Sequence, residues 1–186
     1  MNDKPINIGL DLGKLLDPEI MILAAETDDD IGCILRLHLQ IEQLLDFYLG
    51  VTRKGEIAEF VRQPRDFSGK LSIAVALGLP IVFARVAKQV NAIRNRLAHE
   101  HKADISADAV KLLGKAVNEM RTLIPELIPV ERHYIELPRK RPNEKYSYGR
   151  GEVRLDFVLA VMAFLRAAVP WLVTQFAPQH IVGDSK

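Results

Sequence analysis

The sequence predicts an all-α bundle of four main helices plus short ones. Three observations carry this. Apolar residues recur at i, i+3 and i+4 spacing in several long stretches. Gly78 and Pro80 mark one boundary between those stretches and Pro125 and Pro129 another, and no segment alternates convincingly enough to be a sheet strand. At 186 residues with 48% hydrophobic and 26% charged side chains, the chain has enough apolar material for one real core.

Residues 1–27 form an acidic lead-in. The first 30 residues hold eight acids (Asp3, Asp11, Asp17, Glu19, Glu26, Asp28, Asp29 and Asp30) against Lys4 and Lys14, with one short helix expected near Asp17 to Ala25. The first long helix follows, with Ile31, Ile34, Leu35, His38, Ile41, Leu45, Tyr48 and Leu49 on its apolar face. Carboxylates ahead of it suit a helix N-terminus, where free N–H groups and the positive end of the dipole both favour anions. The polar connector Gly55 to Arg65 has room for a short helix. Ser68 is the expected cap of a brief helix through Leu71, Val75 and Leu77, closed by Gly78 as a left-handed stop. Pro80 suits the start of the next helix, whose stripe is Val82, Phe83, Val86, Val90, Ile93 and Leu97. Ser106 caps another, with Val110, Leu113, Val117, Met120 and Ile124 inward, ended by Pro125 and Pro129.

Residues 131–152 read as a long basic loop with a short strand possible at Tyr134 to Leu137. A final helix is expected from Val153 to Phe176, bent or broken at Pro170. Its apolar run Phe157 to Val173 is interrupted by Arg166 and Pro170 and falls short of the roughly 20 residues of a membrane span, so it predicts a buried helix. Residues 177–186 are a tail. The expected domain is therefore 28–176.

Net charge is +1, which excludes a uniformly basic nucleic-acid coat but not a local basic face. The single cysteine, Cys33, excludes an intramolecular disulfide framework and suits a reducing cytosol. With no apolar run of signal-peptide length at the start, the expectation is a cytoplasmic protein with no membrane contact. Phosphate loops, dinucleotide fingerprints, HExxH motifs, nucleophile elbows and structural-zinc spacings are all missing, and neither a metal nor a cofactor is expected.

Three constellations carry the functional reading. The first is Asn91-Ala92-Ile93-Arg94-Asn95-Arg96-Leu97-Ala98-His99. Asn95 and His99 share one helix face, whereas Arg94 and His99 diverge by about 140° while lying about 7.5 Å apart along the axis. An arginine and a histidine on one phosphate suit metal-free RNA cleavage. The 2′-hydroxyl attacks phosphorus, the histidine moves protons and the guanidinium stabilises the phosphorane. A frayed helix end or a two-fold partner would bring the pair together. The bland alternative makes Arg94 and Arg96 a solvated face and His99 a cation at a helix C-terminus.

The second is Glu26, Asp28, Asp29 and Asp30, which could hold Mg²⁺ but fit helix capping better. The third is the stretch of Arg139, Lys140, Arg141, Lys145, Tyr146, Tyr148, Arg150 and Arg154. Its cations suit phosphates and its tyrosines suit stacked bases, although solvated loops have the same composition. With Arg96, the residues Arg139, Lys140, Arg141, Lys145, Tyr146 and Tyr148 are the candidate RNA-binding set. His38 is expected to be a satisfied core histidine, and Trp171 a packing residue.

Arg94-Asn95-x-x-x-His99 resembles the R-polar-x3-H signature of the HEPN superfamily (higher eukaryotes and prokaryotes nucleotide-binding). Glu26-Thr27-Asp28-Asp29-Asp30, then Phe67-Ser68-Gly69-Lys70-Leu71 with Ala76-Leu77-Gly78-Leu79, then Ile93 to His99, resemble in that order the mannitol operon repressor family within it. The resemblance covers roughly residues 20–115 and implies a HEPN-like bundle. It points two ways on function. Many HEPN proteins are metal-independent endoribonucleases of toxin–antitoxin or defence systems, with Arg94, Asn95 and His99 here at the catalytic positions of a homodimeric, composite site. The repressor branch implies transcriptional regulators without a DNA-binding domain that act through a protein partner. The apolar circumference of the final helix, at Phe157, Leu159, Val161, Met162, Phe164 and Leu165, adds an expectation of a homodimer interface.

Overall fold

The structure is a computed structural model that describes residues 13–99 and 104–176, without the side chains of Ala98 and His99. The expected 1–12 part of the lead-in and the 177–186 tail lie outside the described residues. Among the described residues the chain is all-α apart from one hairpin. Helices α1 (Pro18–Ala25), α2 (Asp30–Thr52), α3 (Ile57–Phe60), α4 (Phe67–Ala76), α5 (Ile81–His99), α6 (Ala107–Glu119) and α7 (Val153–Phe176) are joined by short 3₁₀ turns at Lys14–Leu16, Met120–Thr122 and Val130–Arg132. Strands β1 (Tyr134–Leu137) and β2 (Arg141–Ser147) pair antiparallel.

Helix α7 is the axis of the fold. Phe157, Val158, Leu159, Ala160, Val161, Ala163, Leu165, Ala168 and Leu172 are fully enclosed on every side of it. Helices α1, α2 and α6 pack along it, α5 touches it, and the turns at Lys14–Leu16 and Val130–Arg132 close the remaining surface. Its length and composition would suffice to cross a membrane, but 14 of its 24 residues are buried inside the bundle. Two expectations are corrected here. The helix runs unbroken through Pro170, since the last turns lose only one N–H donor, and the carbonyl of Pro170 is taken up by the Thr174 hydroxyl at 3.0 Å. The apolar circumference is consumed within one chain, so it supplies no surplus for a dimer.

The outer helices are placed by their caps. Asp17, Asp29 and Ser106 accept N–H groups of the first turns of α1, α2 and α6. For α4 the cap is Asp66, whose carboxylate accepts from Gly69 N–H at 2.8 Å, not Ser68, which lies inside the helix. Aspartate at this position satisfies the same donor with a full charge on the dipole. Gly78 ends α4 at φ 99°, in the left-handed region a side chain would resist. The lead-in is also corrected in part. Leu15, Met21, Ala24 and Ala25 are buried, so residues 15–27 belong to the bundle.

The basic loop is a β-hairpin. Ile135 pairs with Tyr146 and Tyr134 with Ser147, and an irregularity between Glu136 and Leu137 brings Leu137 opposite Arg141. Ile135, Leu137 and Tyr146 point inward, and the rest faces solvent. Asn143 takes φ 69° inside β2, in the stretch that the register skips between Arg141 and Lys145, a conformation that asparagine tolerates.

Replacing Phe164 by alanine should cost about 3–5 kcal/mol of unfolding free energy, read as a lower urea midpoint. Leu112→Ala, at an exposed apolar position on α6, should change it by less than about 0.5 kcal/mol.

Candidate functional site

Arg94 and Asn95 lie on α5 and are half-buried, one helical turn beyond the place where α5 is tied to α2. The tie is a hydrogen bond from His38 Nε2–H to Asn91 Oδ1 at 3.1 Å. The His38 ring leans on Phe67 of α4 with centroids 4.4 Å apart, so three helices meet at this imidazole. Burial pushes the His38 pKa down, against the opposing effect of Asn91, and the positive charge of Arg94 adds to the lowering. His38 is therefore a neutral, satisfied core histidine, as expected. Its link to Asn91 and its electrostatic reach to Arg94 were not legible, because residues 53 apart in sequence carry no local signal.

Arg94 Nη1 donates to Asn95 Oδ1 at 3.1 Å. Among the described residues Arg94 has no carboxylate partner. A half-buried guanidinium held by a neutral amide keeps its charge available for an anion. The His99 side chain lies outside those described, so of the expected triad the structure places Arg94 and Asn95 side by side and leaves His99 located by its backbone alone. Arg96 is exposed.

The proposed RNA edge is different. Arg139 pairs with Glu19, Lys140 with Asp28, and Arg141 with Glu152 and Glu144. Lys145 Nζ sits 3.3 Å from the centre of the Tyr134 ring. Tyr146 is buried. Its hydroxyl accepts Glu152 N–H at 2.9 Å and donates to Asp156 at 3.0 Å, and burial raises its pKa to about 12. It has no free face on which a base can stack. Tyr148 is half-buried against Gly114 of α6, where a Cβ would collide with its hydroxyl. Of the candidate set, Arg139, Lys140 and Arg141 are neutralised by acids, Lys145 lies over a tyrosine ring, and Tyr146 and Tyr148 are packing residues.

Of the acids paired with those cations only Asp28 belongs to the Glu26–Asp30 segment, whose other members hold backbone groups and helices in place. Glu26 is buried, and its Oε1 accepts the backbone N–H of Arg139 at 2.8 Å and of Lys140 at 3.0 Å. Lys140 holds the Asp28 carboxyl below its ordinary range. Asp30 accepts Ile105 N–H at 3.2 Å and lies 3.7 Å from the Arg154 guanidinium. Only Asp29 caps α2 by its side chain, so capping accounts for one acid of four, and the others tie distant segments together. Among the described residues no group of three or more His, Cys, Asp or Glu side chains is placed to hold a metal ion. Cys33 is enclosed in the core, and burial raises its thiol pKa to about 12, so it offers no thiolate.

Compared with known proteins, the chain matches no protein-family model, no curated protein and no solved structure.

Burial pushes His133 below its ordinary pKa as it does His38. In the unfolded chain both titrate near 6.5, so at intermediate pH the unfolded state binds more protons than the folded one. Their contribution to stability is full above that value and is lost as pH falls through the lowered folded pKa values. The thermal midpoint should therefore drop from about pH 7 to about pH 5, and the drop should be smaller in the His38→Gln/His133→Gln double variant.

Proposed function

We propose that the chain is a HEPN-like, metal-independent endoribonuclease or an RNA-binding relative of one, with Arg94, Asn95 and His99 as its working residues. The observation that carries this is Arg94: half-buried, braced by Asn95 and without a carboxylate partner among the described residues, while Arg139, Lys140 and Arg141 of the hairpin are ion-paired. In this reading Arg94 stabilises the charged phosphorane, His99 moves the proton of the attacking 2′-hydroxyl, and Asn95 orients the guanidinium.

Arg94 and His99 diverge around one helix, so the reading pairs each with its copy in a homodimer. An exposed apolar stripe supports a self-contact. On α2, Ile31, Leu35 and Leu39 continue the face that α4 covers further along, where Lys70 binds Glu42 and Asp46 at 2.8 Å each. Beyond the reach of α4 the stripe is open, and it borders the His38–Asn91 contact. Light scattering at micromolar concentration should give twice the chain mass, and Leu35→Glu should reduce it to one chain mass. A wild-type monomer overturns the composite site.

The purified protein with EDTA should cleave single-stranded RNA and leave 2′,3′-cyclic phosphate ends. Arg94→Ala and His99→Ala should each lower the rate by at least about 100-fold with helicity unchanged. Cleavage that requires Mg²⁺, or that survives both substitutions, overturns the assignment. If no RNA is cut, the second reading takes over: a regulator, like the mannitol operon repressor family, that acts through a protein partner. The neutralised hairpin cations and the open α2 stripe favour that reading.

A further inference from the structure

On the face of the bundle where α1, the hairpin and α7 meet, two clefts run into each other. The first, about 460 Å³, lies among Leu16, Met21, Ile22, Ile128, Met162 and Leu165. The second, about 480 Å³, is walled by Leu123, Ile124, Leu127, Ala167 and Trp171. Each has the size of a small-molecule pocket. Ile128, His133 and Arg166 belong to both, so the two form one bent groove with a polar wall at the bend.

Arg166 is the single charged residue between Phe157 and Phe176 of α7. Its neighbours Leu165 and Ala167 are buried, while Arg166 itself emerges into the groove wall. Arg132 lines the first cleft. Among the described residues neither arginine has an ion-pair partner, whereas Arg139, Lys140 and Arg141 of the hairpin each have one. Glu136 lines the first cleft and Glu126 the second, and both are exposed. These acids leave the bend as the cationic point and disfavour a ligand with a second anion in either limb. His133 commits its Nε2–H to the Ile128 carbonyl at 3.3 Å, which leaves Arg166 as the charge common to both limbs.

We propose that this groove binds an elongated apolar monocarboxylate, such as a medium-chain fatty acid, with its carboxylate on Arg166 at the bend and its chain along an apolar limb. The charge pattern selects the class. Apolar walls supply affinity for a chain by removing it from water, and a guanidinium without a protein partner matches one carboxylate bidentately. The groove shares no residue with Arg94, Asn95 or His99.

Trp171 is the only tryptophan and lines the second cleft, so its emission reports occupancy. Decanoate, kept below its micelle concentration, should bind one per chain by calorimetry and shift the Trp171 emission. Decanol and acetate, which keep only the chain or only the charge, should each bind at least about tenfold more weakly. Arg166→Gln should weaken decanoate by about tenfold or more, and Arg166→Lys by less, with unchanged thermal melting of the free proteins. Decanol binding as tightly as decanoate, or decanoate binding unaffected by Arg166→Gln, overturns the proposal. If the groove instead takes a second copy of this chain, Trp171 emission will follow protein concentration and decanoate will not bind, which overturns it too.

Discussion

A helix that is apolar on every side has to be covered on every side, and α7 imposes that requirement on the whole chain. Leaving Phe157, Phe164 or Leu165 in water would forgo roughly 1.5–3 kcal/mol each. The solution is a ring of elements around one axis: α1, α2 and α6 along its length, with 3₁₀ turns where a full helix does not fit. Helix α5, which carries Arg94 and Asn95, belongs mainly to a second layer, held between α2 and α6 and covered by α4. That placement leaves its end half-buried rather than enclosed, so a guanidinium there is positioned by packing and still reaches solvent.

The acidic segment between α1 and α2 does for the polar groups what α7 does for the apolar ones. Glu26 satisfies the backbone of the hairpin turn, Asp28 takes Lys140, Asp29 caps α2, and Asp30 receives Ile105 and Arg154. The buried member, Glu26, takes two main-chain donors on one oxygen, the kind of partner a buried carboxylate needs if it is to be tolerated. Each exposed ion pair adds little by itself, but together they fix where the hairpin lies.

The helices were legible because their signals are local: period, caps, and glycine or proline punctuation. The centre of the fold was legible only in part. A continuous apolar run marks burial but does not say whether the cover comes from the same chain or from another, and for α7 it comes from the same chain. The hairpin was half legible. Tyr134 to Leu137 alternates, but β2 has one inward residue, Tyr146, among charged ones, so its sequence reads as loop. The candidate site split along the same line. Arg94 and Asn95 are neighbours in sequence and were found together, whereas the partners of Arg139, Lys140 and Arg141 lie up to 120 residues away or across a turn, and composition alone could not show that their charge was already matched.

The axial helix is also the last described element to leave the ribosome. Helices α1, α2 and α6 are synthesised while the surface they enclose does not yet exist, and the sides they turn to it stay wet until residues 153–176 emerge. Nascent chains fold from the N-terminus where early segments can pack on one another. Here α2, α4 and α5 can do so, with Phe67 and His38 at the centre of their contact, and so can α1 on α2 and α6 on α5. The closing of α1, α2 and α6 around the axis must follow its arrival. Until then the sides of α1, α2 and α6 that face it are exposed apolar surface, a substrate for chaperones, and truncation within α7 removes the scaffold they close on.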